Sequence, residues 1–272
     1  MTYFHSGKDG KSPKDQHGRT IDFGRTAADY EKHRPGFPGK MFDAWQKRNW
    51  FSAGQKVLDL GSGTGTIALN LAERGLEVVA IDRAPEMLAV AEKRAKDRDL
   101  KISFQVGVAE DTQQKDESFD LVIAGQCWWW FEAQKAIEEV KRILKPGGRL
   151  IICSFNYIPV PGSAAYACEE VILKHNPGWS SAGNNGISPE QVWQLTCNQF
   201  LKIESYSHDQ NVPFTHEDWR GRLRACNGVG ASLSPKEIEA VDADFQERLS
   251  KDFPGEISVL HRIFVASGTL AK

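Results

Sequence analysis

Gly61, Gly63 and Gly65 alternate with Ser62 and Thr64 in the stretch VLDLGSGTGTIA, between an apolar run and the start of a helical pattern. Glycine tolerates φ > 0 and has no Cβ. Such a turn therefore sets backbone N–H groups, and the positive end of the next helix, against a ligand. Three ligand classes use turns of this kind. A nucleoside-triphosphate loop ends in Gly-Lys-Ser/Thr, and no lysine stands here. A dinucleotide site asks for Gly-x-Gly-x-x-Gly, and Gly61-x-Gly63-x-Gly65 is one residue short. The third class is an adenosyl ligand without phosphates. Asp82, roughly 20 residues on in VVAIDRAPEML, ends the second apolar run, where a carboxylate can accept both ribose hydroxyls. Each glycine singly would suit a tight left-handed turn; all three with Asp82 point to an adenosyl site.

The elements that must hold this turn follow from the pattern of the chain. Apolar, β-branched runs at Lys56-Leu60, Glu77-Ile81, Ile102-Gly107, Leu121-Gly125 and Arg149-Phe155 alternate with helical patterns at Thr66-Arg74, Pro85-Lys96 and Ala133-Leu144. Runs such as LVIAG and LIICSF read as parallel strands covered on both faces. Strand-helix alternation predicts an α/β fold with a doubly wound parallel sheet. LKPGG closes the helix before the fifth strand. After Phe155 the rhythm changes. Helices are predicted at Ser163-Lys174, Ser188-Asn198, His216-Arg224 and Ser234-Lys251, with a sixth strand in FLKIESYSHDQNVPF and a seventh in VLHRIFVASG. Upstream, TAADYEKHRPGFP gives a short helix stopped by Pro35 and Gly36, and Met41-Trp50 a second. The domains read as a flexible polar segment 1–25, a core with an N-terminal lid over 26–155, and a helical cap with the last two strands over 156–272.

Composition bounds the function. The chain has 272 residues, 40% hydrophobic and 26% charged, with a net charge of -2. That is ordinary for a globular protein and argues against a dedicated nucleic-acid binder. No apolar run reaches bilayer length, and the start lacks a secretory h-region. Five cysteines, widely spaced and without a Cys-x-x-Cys pair, suggest neither a disulfide framework nor a zinc site. A reducing cytoplasm, no metal, no membrane and no nucleic-acid partner are expected.

The chain resembles the class I S-adenosylmethionine (SAM)-dependent methyltransferases. LDLGSGTG is similar to their first motif, AIDRAPEML to the second, GVAEDT to the third, FDLVIAGQCWWWFE to the fourth and IEEVKRILKPGGRLII to the fifth, in order over roughly Ala27 to Ser154. The Tyr-x-x-x-Arg-Pro-Gly start and the tail DWRGRLRACNGVG resemble a small-molecule subgroup of the trans-aconitate methyltransferase type. The resemblance implies a Rossmann-like, mostly parallel seven-stranded sheet with its last strand reversed, and a helical cap inserted in the C-terminal half. It implies SAM as cofactor. Gly61, Ser62 and Gly63 would line its methionine part, Asp59 would orient the loop, and Asp82 would hold the ribose. Arg83 and Met87 would flank the adenine, and Val108 and Ala109 would meet its edge. Many relatives carry Asp where Val108 stands; Glu110 is the substitute in reach. Gln126 would face the reacting end. Tyr30 would act as a lid over the methionine end, with Arg34 near its carboxylate.

The acceptor side is read from CWWWFE. The segment leaves the fourth strand at its C-terminal end, where open α/β sheets bind ligands. Trp128, Trp129 and Trp130 point in different directions on a turn, so at least one should line the acceptor site. The alternative is that they pack the core. Relatives commonly have His where Trp129 stands, so no base is visible and no catalytic residue is assigned. None of the seven histidines has a partner fixed by the sequence. In DWRGRLR, Arg220, Arg222 and Arg224 could each bind a substrate carboxylate, with Arg220 carried forward, against a solvated helix face as the alternative. The reading is a methyltransferase acting on a small molecule, as monomer or homodimer. The alternatives are a non-catalytic SAM-binding module and an NAD-dependent oxidoreductase.

Overall fold

The computed structural model of the protein describes residues 13–271. One sheet has the order β3-β2-β1-β4-β5-β7-β6. Its strands are β1 (Lys56–Leu60), β2 (Glu77–Asp82), β3 (Ile102–Val106), β4 (Phe119–Gly125), β5 (Leu144–Tyr157), β6 (Phe200–Phe214) and β7 (Ile257–Leu270). The β1–β2, β2–β3, β1–β4 and β4–β5 pairs are parallel. The helices are α1 (Ala27–His33), α2 (Gly39–Lys47), α3 (Thr66–Glu73), α4 (Pro85–Lys96), α5 (Ala133–Ile143), α6 (Ala164–His175), α7 (Pro189–Cys197), α8 (His216–Arg224) and α9 (Pro235–Asp252). The doubly wound seven-stranded α/β sheet read from the sequence is therefore present. Strand order reverses between β1 and β4, so the residues just after Leu60 and Gly125 occupy the switch point where such sheets bind ligands.

The described chain gathers into two compact units, each assembled from separated segments. The turn unit comprises 36–154, 188–206 and 264–271, and the helical unit 13–35, 155–187 and 207–263. Residues 26–35 group with the helical unit, and 188–206 and 264–271 with the turn unit.

In the turn unit, Val57, Leu58 and Leu60 of β1 and Leu121 to Ala124 of β4 have no exposed surface, which is why those positions are apolar; Asp59 is the buried exception in β1. β3 departs from that pattern. It lies at the sheet edge, and Val106 is 66% exposed. α2 buries Phe42 and Trp45. It stops at Lys47 rather than Trp50 because Asn49 turns to φ 54°. The Trp45 and Trp50 indoles then donate to Tyr206 Oη (2.8 Å) and Glu204 Oε1 (2.9 Å), fastening β6 within this unit. LKPGG does not separate helix from strand as expected. β5 begins at Leu144, and the glycines absorb an irregularity in which register jumps from Phe119↔Leu144 to Leu121↔Arg149.

The helical unit has its own core, with Trp219, Leu223, Val241, Phe245 and Leu249 wholly buried or nearly so. α9 starts with a capping box: Ser234 and Glu237 satisfy each other's backbone N–H groups. The expected loose start, 1–25, divides: residues 1–12 lie outside the described residues, and 13–25 are held. Asp15 accepts from Arg19 Nε (2.5 Å), Arg19 Nη2 donates to Asn176 (2.5 Å), and Ile21 is buried. Polar residues make this segment ordered by pairing with a distant loop, which composition does not reveal.

Candidate functional site

β1 and β2 are parallel neighbours in register Leu60↔Ile81, so the chain that follows β1 meets the acid that ends β2. Gly61, Gly63 and Gly65 adopt φ values of 62°, 54° and 77°. A Cβ on Gly61 would lie 2.9 Å from Cys127, and one on Gly65 3.0 Å from Ala91. Those two glycines serve packing. A Cβ on Gly63 would meet nothing within 4 Å, so Gly63 faces open space.

The acids are tied to this turn. Asp82 Oδ2 accepts from Gly63 N (2.8 Å), and Oδ1 accepts from Ala84 N (2.9 Å). Burial raises its carboxyl above the usual range against the pull of those N–H groups. Asp59 Oδ2 accepts from Ala68 N (3.0 Å) in the first turn of α3. Burial pushes the Asp59 carboxyl up to about 8, and the charge of Asp82 adds to the effect. Ser62 N donates to Ile81 O (3.0 Å), while the buried Ser62 Oγ has no partner.

The remaining sequence-assigned residues of this unit fall around the turn and the strand ends. Arg83 is exposed, Met87 and Ala109 are buried, and Val108 is half-buried and bridged to Asp111. Glu110 Oε1 accepts from Glu132 N (2.7 Å), which commits one oxygen to the start of α5. Gln126 takes φ 63° and donates its N–H to Cys153 O (2.8 Å), so the chain bends sharply as it leaves β4. Cys127, which sequence reasoning missed, packs on Gly61, and its Sγ donates to Leu60 O (3.1 Å). Burial, then the charges of Asp59 and Asp82, push its thiol pKa far up, so it is a spacer and not a nucleophile. Phe131 also reaches Gly61, at 3.3 Å from the position of its would-be Cβ.

The tryptophans form a 3-10 turn, Trp128–Trp130, ahead of α5 rather than the first turn of that helix. Trp128 is 3% exposed. Its Nε1 donates to Gln194 Oε1 (2.8 Å), and its ring meets Phe131 edge-on at 5.8 Å. It is packing. Trp129 and Trp130 are half-buried.

Tyr30, Arg34 and Arg220 belong to the helical unit. Arg34 follows α1 in an extended conformation, and its guanidinium stacks over the Tyr30 ring at 4.5 Å. Arg220 is not the open cation that the sequence suggested. Its Nη2 lies 2.5 Å from Glu217 and its Nε 3.6 Å from Asp242. Of the histidines, His33 is buried between Asp218 (3.0 Å) and Asp29 (3.7 Å), and His216 pairs with Phe253 O (2.8 Å). Among the described residues no group of three His, Cys, Asp or Glu is placed to hold a metal. Nor is any helix of these residues long and apolar enough to cross a membrane.

The turn fits an adenosyl amino acid. It offers an orphaned Ser62 hydroxyl, an uncrowded Gly63, and a carboxylate at Asp82 whose N–H partners leave further lone pairs. The family description "Methyltransferase domain" matches residues 58–152. An uncharacterized methyltransferase of Mycobacterium tuberculosis is 41% identical over 133 residues, which are 48% of this chain and 51% of that protein. A ubiquinone biosynthesis O-methyltransferase of Xanthomonas oryzae pv. oryzae is 30% identical over 174 residues, 63% of this chain and 71% of that protein. The match thus spans about half the length of the mycobacterial relative. A putative type II methyltransferase structure from Anaeromyxobacter dehalogenans covers 88% of this chain and 99% of its own, with a TM-score of 0.62 at 19% identity. That likeness shows the fold.

Proposed function

Because the chain belongs to the class I SAM-dependent methyltransferases, we propose that it transfers a methyl group from SAM to a small-molecule acceptor by in-line displacement. The observation that carries this reading is the Asp82–Gly63 contact beside an open Gly63. When bound, SAM supplies an electrophilic methyl on a sulfonium. Gly61, Ser62 and Gly63 line its methionine part, and the free lone pairs of Asp82 accept the ribose hydroxyls. Met87 and Ala109 give an apolar wall for the adenine, flanked by Arg83 and Val108, with the second oxygen of Glu110 as a further acceptor. Gln126 lies toward the reacting end. Asp59 holds α3 to the turn through Ala68 N, which keeps the N–H groups aimed at the ligand.

The half-buried Trp129 and Trp130 supply an apolar wall or a π face toward a cation. Trp129 occupies the place of a histidine in relatives, so the acceptor is one that is already nucleophilic or is deprotonated elsewhere. The name of the Xanthomonas relative and the net charge of -2 support a small molecule over nucleic acid. The free cysteines among the described residues suit a reducing cytoplasm.

Calorimetry tests the assignment. S-adenosylhomocysteine should bind and NAD should not; tighter binding of NAD would make the chain an oxidoreductase. Asp82→Ala should weaken S-adenosylhomocysteine by roughly 1–3 kcal/mol, and an unchanged affinity would remove Asp82 from the site. Cofactor binding without turnover on any small-molecule panel would leave a silent binding module. Hydrogen exchange over 29–34 should slow when S-adenosylhomocysteine is added if Tyr30 and Arg34 act as the lid that the resemblance implies.

A further inference from the structure

Glu139 lies on the apolar face of its helix. The other buried positions of α5 are Ala136, Ile137, Val140 and Ile143, and Glu139 sits among them at 8% exposure while its neighbour Glu138 is exposed. A carboxylate in such a stripe is costly unless donors answer it. Arg142, one turn on, gives Nη2 to Oε1 (2.7 Å) and Nε to Oε2 (2.8 Å). Thr112 gives its backbone N–H to Oε1 (2.8 Å) and its hydroxyl to the same oxygen. An apolar side chain would fill the stripe without the cost of desolvation, so stability alone does not call for an acid here. What the acid adds is direction.

Thr112 belongs to the chain between β3 and β4, which also carries Val108, Ala109 and Glu110. The start of this chain is tied to the end of β2, where Gly107 N donates to Asp82 O (3.0 Å). Val108 and Asp111 then bridge and close a tight turn. Glu110 Oε1 accepts from Glu132 N (2.7 Å) just ahead of α5. Beyond Thr112, Arg142 Nη1 donates to Gln114 O (2.8 Å) and meets Asp116 (2.5 Å). β3 is the edge of the sheet, so the sheet supports the turn from one side only. The turn 108–111 is therefore strung between Gly107 at β2 and Thr112 at α5, and Glu139 with Arg142 makes the second anchor.

We propose that Glu139 is a positioning residue of the cofactor site: through Thr112 it holds the turn 108–111 in place for the adenine, and so sets the preference for adenine over a 6-oxopurine. The proposal rests on the reading that Val108, Ala109 and Glu110 meet the adenine. Both Glu139 oxygens are taken by Thr112 and Arg142, so the residue acts through the turn and not on the ligand. Charge-assisted bonds to a main-chain N–H fix a turn more closely than apolar contact does. Close placement matters for base choice. A 6-amino group donates and a 6-oxo group accepts, so the remaining oxygen of Glu110 suits the first and repels the second.

The test is calorimetry on the full chain with S-adenosylhomocysteine and with S-inosylhomocysteine, which carries an oxo group in place of the 6-amino group. The wild type should prefer the adenosyl ligand by about tenfold or more. Thr112→Val removes only the hydroxyl bond to Glu139, and Glu139→Gln removes the charge that pairs with Arg142. Each should cut the preference by about fivefold. Thr112→Ser keeps the hydroxyl and should keep the preference. The Thr112 pair also preserves the test if Glu139→Gln does not fold. An acid that only stabilised the fold would weaken both ligands alike when replaced, and an unchanged ratio in Thr112→Val and Glu139→Gln overturns the proposal. Glu110→Gln separates it from the reading beneath it. If that variant alone loses the preference, the turn meets the adenine but Glu139 does not position it. If none of the variants loses it, the turn does not read the base and both statements fall.

Discussion

Asp59 in the turn unit and Arg222 in the helical unit are almost equally buried, at 1% and 4% exposure. They are treated differently. Asp59 shares its turn with a second acid, Asp82, and main-chain N–H groups of Ala68, Gly63 and Ala84 answer the pair. Every one of those donors lies within the strand-turn-helix segment that carries the acids. Arg222 faces aromatic rings and a second cation, and nothing in the described chain accepts from it. The turn unit answers its buried acids with its own main-chain dipoles; the helical unit leaves the Nε of one buried guanidinium without an acceptor among the described residues.

The largest test of this contrast lies in the turn. Gly61→Ala forces a Cβ to 2.9 Å from Cys127 at a positive φ, so it should cost about 3–4 kcal/mol of stability, read by denaturant titration. Gly63→Ala has the same backbone cost but no clash, so it should lose only about 1 kcal/mol of stability. Its main effect should be on S-adenosylhomocysteine affinity. Equal stability losses at both positions would break the division into a packing glycine and an open one.

The pH dependence of Asp59→Asn comes next. The Asp59 pKa rises from 3.8 in the unfolded chain to about 8 in the fold. Between these values the unfolded chain has released a proton that the folded chain keeps. Stability therefore falls as pH rises through that window and levels off above about 8. Asn cannot ionise and keeps an oxygen for Ala68 N. The variant should gain on the order of 2 kcal/mol over the wild type between pH 5 and pH 8. Parallel pH profiles of Tm would mean that Asp59 is not buried as a protonated acid.

The smallest effect sharpens the helical side. Arg224→Met leaves Asp29, Glu217 and Asp242 without their shared cation, and should cost about 1 kcal/mol, reduced by salt. Arg222→Met removes an unanswered buried charge and should be neutral or stabilising in the absence of ligand. If thermal melts rank the two the other way, Arg222 has a structural partner and the contrast fails.

What could be read from the sequence follows the same line. Gly61, Gly63, Gly65 and Asp82 were legible because a parallel β1–β2 pair brings a turn and a strand end together whatever the rest of the chain does. Strand and helix limits were close where buried apolar positions marked the element, as in α4 and β1. They failed where one residue changed direction: Asn49 ended α2 early, and Gly147 with Gly148 let β5 begin straight after α5. Cys127 carried no signal, since its role is only to fill the space that Gly61 leaves. Arg220 was preferred over Arg222 because both look alike in DWRGRLR. Helical periodicity does separate 222 from 220 and 224, but only the placement of Glu217, Asp242 and Asp29 says which face is neutralised. The ordering of 13–25 on Asn176 was invisible for the same reason: the partner is more than a hundred residues away.

The turn unit includes residues 264–271, where Val265, Ala266 and Ser267 have no exposed surface and Ser267 Oγ accepts from Arg149 Nη1 (2.8 Å). These are the last of the described residues to leave a ribosome. The glycine turn is made early in translation, yet the unit that holds it lacks part of its core until synthesis reaches them. A nascent chain stalled before Phe264 should therefore expose apolar surface to chaperones and fail to retain S-adenosylhomocysteine, although Gly61, Gly63 and Asp82 have already emerged.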